Sequence, residues 1–145
     1  MIDARTAPYA ALFLRIVLAS LFAAHLYSKF AIRGLSNWWG ALDGAGYPEW
    51  VLAYTIAAEC AGAVLLFLGV WTRWVSLLVL PMMIGATVHW FLRKGFFFTD
   101  AGWELPAVWT AMLIVQAMLG DGAYSLVRSP PLRWPLNSPP RAAEA

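Results

Sequence analysis

Charge is scarce in this sequence. Its 145 residues include ten Lys or Arg and eight Asp or Glu, 12% in all, against 61% apolar residues. An average soluble domain carries about 25% charged residues and needs them to coat its single core. Eighteen charges cannot form that shell, so a soluble globular domain is excluded, and the apolar content excludes disorder. Cysteine occurs once, which leaves no internal disulfide and no multi-cysteine metal site. Histidine occurs twice, and no Cys-x-x-Cys-His segment exists for covalent haem. The net charge of +2 is small and most cations flank apolar runs, so no nucleic-acid footprint is present.

Long apolar runs are what the chain does have. Four reach the length of about 20 residues that crosses a bilayer. They cover about 9–32, 50–71, 74–92 and 103–120. Trp and Tyr mark their ends (Tyr9, Trp38, Trp39, Trp50, Trp71, Trp74, Trp90, Trp103, Tyr124), where a ring with one polar edge suits the headgroup layer. The reading is an all-α integral membrane protein, a four-helix bundle running up-down-up-down. Arg15 interrupts the first run, which argues for a retained span rather than a cleaved signal. Residues 1–126 form the membrane domain. Residues 127–145 form a Pro-rich, basic tail whose part from Ser129 on lacks an apolar period and is expected to pack poorly or to bind a neighbour.

Trp71-Thr72-Arg73-Trp74 reads as a tight turn between spans two and three, and Gly34 to Glu49 as the longest loop. Arg5, Arg73, Arg128, Arg133 and Arg141 fall on one side, against Lys29, Arg33, Arg93 and Lys94 on the other. The positive-inside rule then places both termini in the cytoplasm of a bacterial inner membrane, with the larger loops outside.

Ionisable groups within spans are costly and turn inward. Arg15, Leu18, Phe22, His25 and Lys29 recur every three or four residues, which puts Arg15, His25 and Lys29 on one helical stripe. Glu59 lies mid-span in the second run and needs a partner, with Arg15 or His25 as candidates. Counting inward at about 1.5 Å per residue, Lys29, His89 and Glu104 form a rim, His25 the wall, and Glu59 with Arg15 the floor of a polar funnel that opens outward. His25 and Glu59 are suited to proton exchange, and Arg15, Lys29, His89 and Glu104 to holding a ligand. Cys60 reads as a buried packing thiol.

Three uses of such a funnel compete. One is a quinone or small-molecule pocket, covered by Phe96, Phe97, Phe98 and Trp103. A second is a b-type haem held by His25 and His89, which is not expected because their depths differ by about a turn. A third is a non-catalytic subunit whose lipid-facing side and tail anchor other proteins of a membrane complex. A small-molecule carrier is a further alternative, without the broken helices many carriers show. No metal site is expected.

Several segments together resemble the DoxX family of small bacterial membrane proteins. The opening span, with Leu14-Arg15, His25 and Lys29-Phe30, is similar to the family's first helix. Gly46-Tyr47-Pro48 resembles its Gly-x-Pro. Glu59-Cys60-Ala61-Gly62 and Leu68-Gly69-Val70-Trp71-Thr72-Arg73 resemble its Glu-x-x-Gly and Leu-Gly-x-x-Thr-Arg stretches. Gly102-Trp103-Glu104 resembles the approach to the last helix, and Gly120-Asp121-Gly122-Ala123-Tyr124-Ser125-Leu126 its closing Gly-x-Gly-x-Tyr-Ser-Leu. The likeness covers about Ala11 to Leu126. It implies a four-helix membrane bundle and, from some members, the membrane subunit of a thiosulfate:quinone oxidoreductase. Arg15, His25, Lys29, Glu59 and Arg73 are the positions it carries over. On this reading the protein is a small subunit of a membrane oxidoreductase or respiratory-type complex that lines a quinone site, surrounded by lipid and other subunits.

Overall fold

The computed structural model describes residues 3–131, and all regular structure within them is helical. Helix α1 covers Ala7–Tyr27 and runs on through a wide π turn, Ser28–Ile32. A short helix, α2, covers Leu35–Asp43. Helix α3 covers Glu49–Ala61 and also ends in a π turn, Gly62–Leu66. Helices α4 and α5 cover Thr72–Phe91 and Glu104–Leu119. The continuous helices Ala7–Ile32, Glu49–Leu66 and Thr72–Phe91 are long and apolar enough to cross a membrane. Glu104–Leu119 is apolar but has 16 residues, about 24 Å of helix. The four long helices pack in alternating directions, as the four apolar runs predict.

The run Gly34 to Glu49 is not a plain loop. Its middle is α2, which has no buried residue and whose flanks are glycines in left-handed backbone, Gly34 (φ +77°) and Gly46 (φ +85°). The turn between the second and third spans also falls earlier than the sequence suggests. Gly69 and Trp71 make it with positive φ, while Thr72 and Arg73 already belong to α4.

The core lies between two polar ends. Leu18 and Phe22 of α1, Leu66 of the second π turn, Val79 of α4 and Leu113 of α5 are fully buried. Phe22 meets Trp109 edge-on at 5.4 Å between ring centroids, a favoured aromatic geometry. Gly62 lets the two helices approach, because a Cβ there would sit 2.7 Å from the Phe22 ring. Much of the outer surface is apolar, with Phe13, Phe67, Leu92 and Met118 largely exposed. In water that surface would aggregate; in lipid it is the matching solvent. Cys60, read from sequence as a packed thiol, faces this outer surface. In a lipid solvent an outward position is as apolar as an inward one, so composition cannot tell the two apart.

At one end, which we call the closing end, the segment after α5 folds back over the bundle. Val127 N–H donates to Gly69 O (3.1 Å) and Trp71 N–H to Val127 O (3.0 Å), so that Val70 and Val127 form a single parallel bridge. Ala123 N–H donates to Pro8 O (2.9 Å). Asp121 accepts from Thr72 N–H (3.0 Å) at the start of α4, and from Ser129 N–H (2.7 Å) and Oγ (2.6 Å). Burial pushes the Asp121 carboxyl up, but the hydrogen bonds from Ser129 and Thr72 outweigh it and hold it below its ordinary value. The beginning of the tail is thus part of the fold. The expectation of a loosely packed or partner-binding tail otherwise falls on residues 132–145, outside those described.

Candidate functional site

At the opposite end the helices diverge around a cavity of about 540 Å³. Its walls come from the end of α1, from α2 and the turn after it, from α3 as far as Glu59, the second half of α4 and the first turns of α5. Most of the lining is apolar, including Trp38, Val51, Met82 and Trp109. Trp50 lines it while remaining largely exposed, and Leu105 while partly exposed, so the space communicates with the outside of the bundle.

Besides Ser28, Arg33, Tyr54 and Thr55 in the lining, three polar features face this space. The deepest is an ion pair between Lys29 and Glu59, 7% and 5% exposed. The Lys29 ammonium donates to both carboxylate oxygens, at 2.6 Å to Oε2, and lies 5.0 Å from the centre of the Trp38 ring. Among the described residues this is the one ion pair. Each ion alone would be costly in so apolar a setting, and together they neutralise one another. Lys29 stands on the π turn that ends α1. Lying one turn on from His25 at the start of this π turn, it stays on the inward stripe and meets Glu59.

His25 is the second polar group. It lines the cavity, is exposed, and rests against the Trp109 ring with centroids 4.7 Å apart. The third is a hydrogen-bonded pair, Tyr47 Oη and His89 Nδ1, 2.5 Å apart. Tyr47 follows α2, and His89 lies near the end of α4.

The structure therefore brings together His25, Lys29, Glu59 and His89 around one space. It does not bring Arg15 or Glu104 there. Arg15 is 1% exposed and lies at the closing end. Its guanidinium donates to the carbonyls of Asp121 (2.7 Å), Tyr124 (3.3 Å) and Ala123 (3.5 Å). The expected pairing of Arg15 with Glu59 is corrected: the carbonyls of the closing segment satisfy Arg15, and Lys29 satisfies Glu59. The Arg73 guanidinium stands beside Gly120 at the same end, 2.7 Å from where a Cβ would lie. Glu104 accepts from the Phe98 N–H at 3.1 Å and braces the loop before α5. Phe96 packs edge-on against Trp103 in that loop (4.9 Å), and neither they nor Phe97 and Phe98 line the cavity.

Sequence reasoning missed Tyr47, Trp38 and Trp109 as wall residues. Tyr47 stands between a glycine and a proline in an apparent loop, with no period to reveal its direction. Trp109 lies mid-helix, away from the helix-end positions that draw attention to tryptophan. Among the described residues no three His, Cys, Asp or Glu side chains gather as a metal site.

The DoxX family model matches residues 10–92, the stretch from α1 to the end of α4. An uncharacterized protein of Haemophilus influenzae is 33% identical over 124 residues, which cover 82% of this chain and 89% of that protein. No solved structure matches.

Proposed function

The chain belongs to the DoxX family of membrane proteins, and from that premise we propose that it is a small subunit of a membrane oxidoreductase whose cavity holds a quinone. The observation that carries this reading is the cavity: about 540 Å³, mostly apolar, reached from outside the bundle, and furnished with His25 and the buried Lys29–Glu59 pair. A quinone needs an apolar slot for its ring and tail, hydrogen-bond partners for its oxygens, and groups that pass protons. Two-electron reduction to the quinol takes up two protons. His25 and the Lys29–Glu59 pair are of the types that give up a proton and are reloaded. The electrons come from a partner subunit. The setting is a bacterial inner membrane with both termini in the cytoplasm and the cavity toward the outer face, where a donor in the periplasm reaches it.

The test uses the native complex with His25→Gln or Glu59→Gln. Both variants should assemble, shown by co-purification of the partner, and should transfer electrons to quinone more slowly by a factor of 10²–10⁴, the usual range for losing an acid–base group. Unchanged quinone turnover in both variants sinks the catalytic reading. Loss of the partner in both would instead make these residues part of an anchoring surface.

A further inference from the structure

The pair formed by Tyr47 and His89 plays no part in the function just proposed. It joins residues 42 positions apart, and both side chains line the cavity. The Lys29–Glu59 pair lies deeper, with Glu59 ten residues into α3, whereas Tyr47 precedes α3 and His89 is two residues from the end of α4. The backbone around Tyr47 is tightly specified. Gly46 has φ +85°, Pro48 is extended (φ −67°, ψ 148°), and Tyr47 N–H donates to Leu42 O at 3.2 Å. A tyrosine fixed in this way is aimed at a target. The target imidazole is itself held edge-on against Trp90, 5.1 Å between centroids.

If the Tyr47 hydroxyl donates to Nδ1, the neutral His89 ring carries its proton on Nε2 and offers a donor, while Oη keeps a lone pair. If Nδ1–H donates to Oη, then Nε2 is an acceptor and the Tyr47 O–H is a free donor. In both tautomers the pair offers one donor and one acceptor to the cavity. No other hydrogen bond among the described residues engages His89 Nε2 or Tyr47 Oη. A carbonyl oxygen needs a donor, and a hydroxyl can use a donor and an acceptor. One unit that always presents both suits an oxygen that alternates between the two forms.

We propose that Tyr47 and His89 form a second, mouth-side anchor for a ligand with two oxygens, and that this anchor holds the quinone and quinol forms alike. The inference rests on the quinone reading above. It adds that the ligand is gripped at two points, one at His25 and Lys29–Glu59 and one at Tyr47–His89. The pair acts in binding; no bond to it is made or broken.

The experiment uses the full chain in lipid nanodiscs. Trp38, Trp50, Trp90 and Trp109 line the cavity, so their fluorescence reports binding of decylubiquinone and decylubiquinol. A one-oxygen analogue, 4-decylcyclohexanone, is measured by competition. Tyr47→Phe removes a single hydroxyl and should weaken quinone and quinol alike by about 3- to 10-fold, the worth of one neutral hydrogen bond. His89→Gln should do the same, and the double variant should be no weaker than the worse single one. The one-oxygen analogue, which fills only the deeper point, should bind all variants equally. That comparison within each variant separates a lost anchor from a misfolded chain. Wild-type affinity for both two-oxygen probes in Tyr47→Phe and His89→Gln overturns the inference and leaves the quinone reading standing. An equal loss for the one-oxygen analogue also overturns it. Failure of the wild-type chain to bind decylubiquinone removes the quinone reading, and this inference with it.

Discussion

The buried pair Lys29–Glu59 makes the sharpest energetic prediction. The perturbation is Lys29→Met, Glu59→Met and the two combined. At the 2.6 Å contact between Nζ and Oε2, two unit charges attract by about 6 kcal/mol at an effective dielectric constant of 20. Desolvation of each ion costs several kcal/mol, so the net worth of the intact pair is near zero. Removing one partner forfeits the attraction and leaves the other ion in apolar surroundings. That ion limits its cost by changing its protonation state, and about 3–5 kcal/mol is the expected loss. This corresponds to roughly two to three and a half decades in the unfolding equilibrium. The double variant removes both ions, and methionine fills irregular space well, so it should lie within about 1–2 kcal/mol of wild type. The assay is unfolding in mixed micelles followed by tryptophan fluorescence, read as a double-mutant cycle. A coupling of about 3 kcal/mol or more is expected. If the single losses simply add in the double variant, the two charges do not stabilise each other and the account of this site is wrong.

Two further predictions concern the closing end. Gly69→Ala should be among the most damaging small substitutions, because φ is +69° and the new Cβ would lie 2.2 Å from Arg15 Nη1 and 2.8 Å from Ser125 Cα. Left-handed strain and overpacking together suggest about 3 kcal/mol, measured by thermal unfolding; a loss below about 1 kcal/mol would show that Arg15 is not held where described. Asp121→Asn should cost about 1 kcal/mol near neutral pH, because the amide replaces charge-assisted bonds from Thr72 N–H and Ser129 by weaker neutral ones. The Asp121 carboxyl is held below its ordinary value, so its contribution is complete well above about pH 4 and is lost as pH falls through the folded value. The gap between wild type and the variant should therefore close in acid, and a constant gap from pH 7 to pH 3 would contradict this.

The spans were legible in the sequence because a bilayer demands length and apolarity, and both can be counted. The inward turn of Lys29, His25 and Glu59 was legible from helical spacing. Who pairs with whom was not. Periodicity gives a face, but depth depends on the ends of helices and on π turns such as Ser28–Ile32 and Gly62–Leu66, which no residue pattern here announces. Arg15 shows the same limit. It shares a stripe with Lys29, yet its partners are backbone carbonyls more than a hundred residues away, and carbonyls have no sequence signature. Helix α2 escaped notice because nine residues between two glycines, with none buried, look like a loop when read for apolar runs. Tyr47 became visible only once α2 and α4 were placed.

The position of the Arg15 contacts sets an order for biogenesis. Arg15 leaves the ribosome early, but the carbonyls that receive it belong to residues 121, 123 and 124. During synthesis the first span therefore precedes by more than a hundred residues the carbonyls that satisfy its cation in the fold. Until then water and lipid headgroups are the alternative partners for the guanidinium. In the finished fold the same segment receives Arg15, bridges Val127 to Val70 and braces the start of α4. A chain halted just after α5 would hold every membrane-crossing helix and still lack the clasp that seats the first.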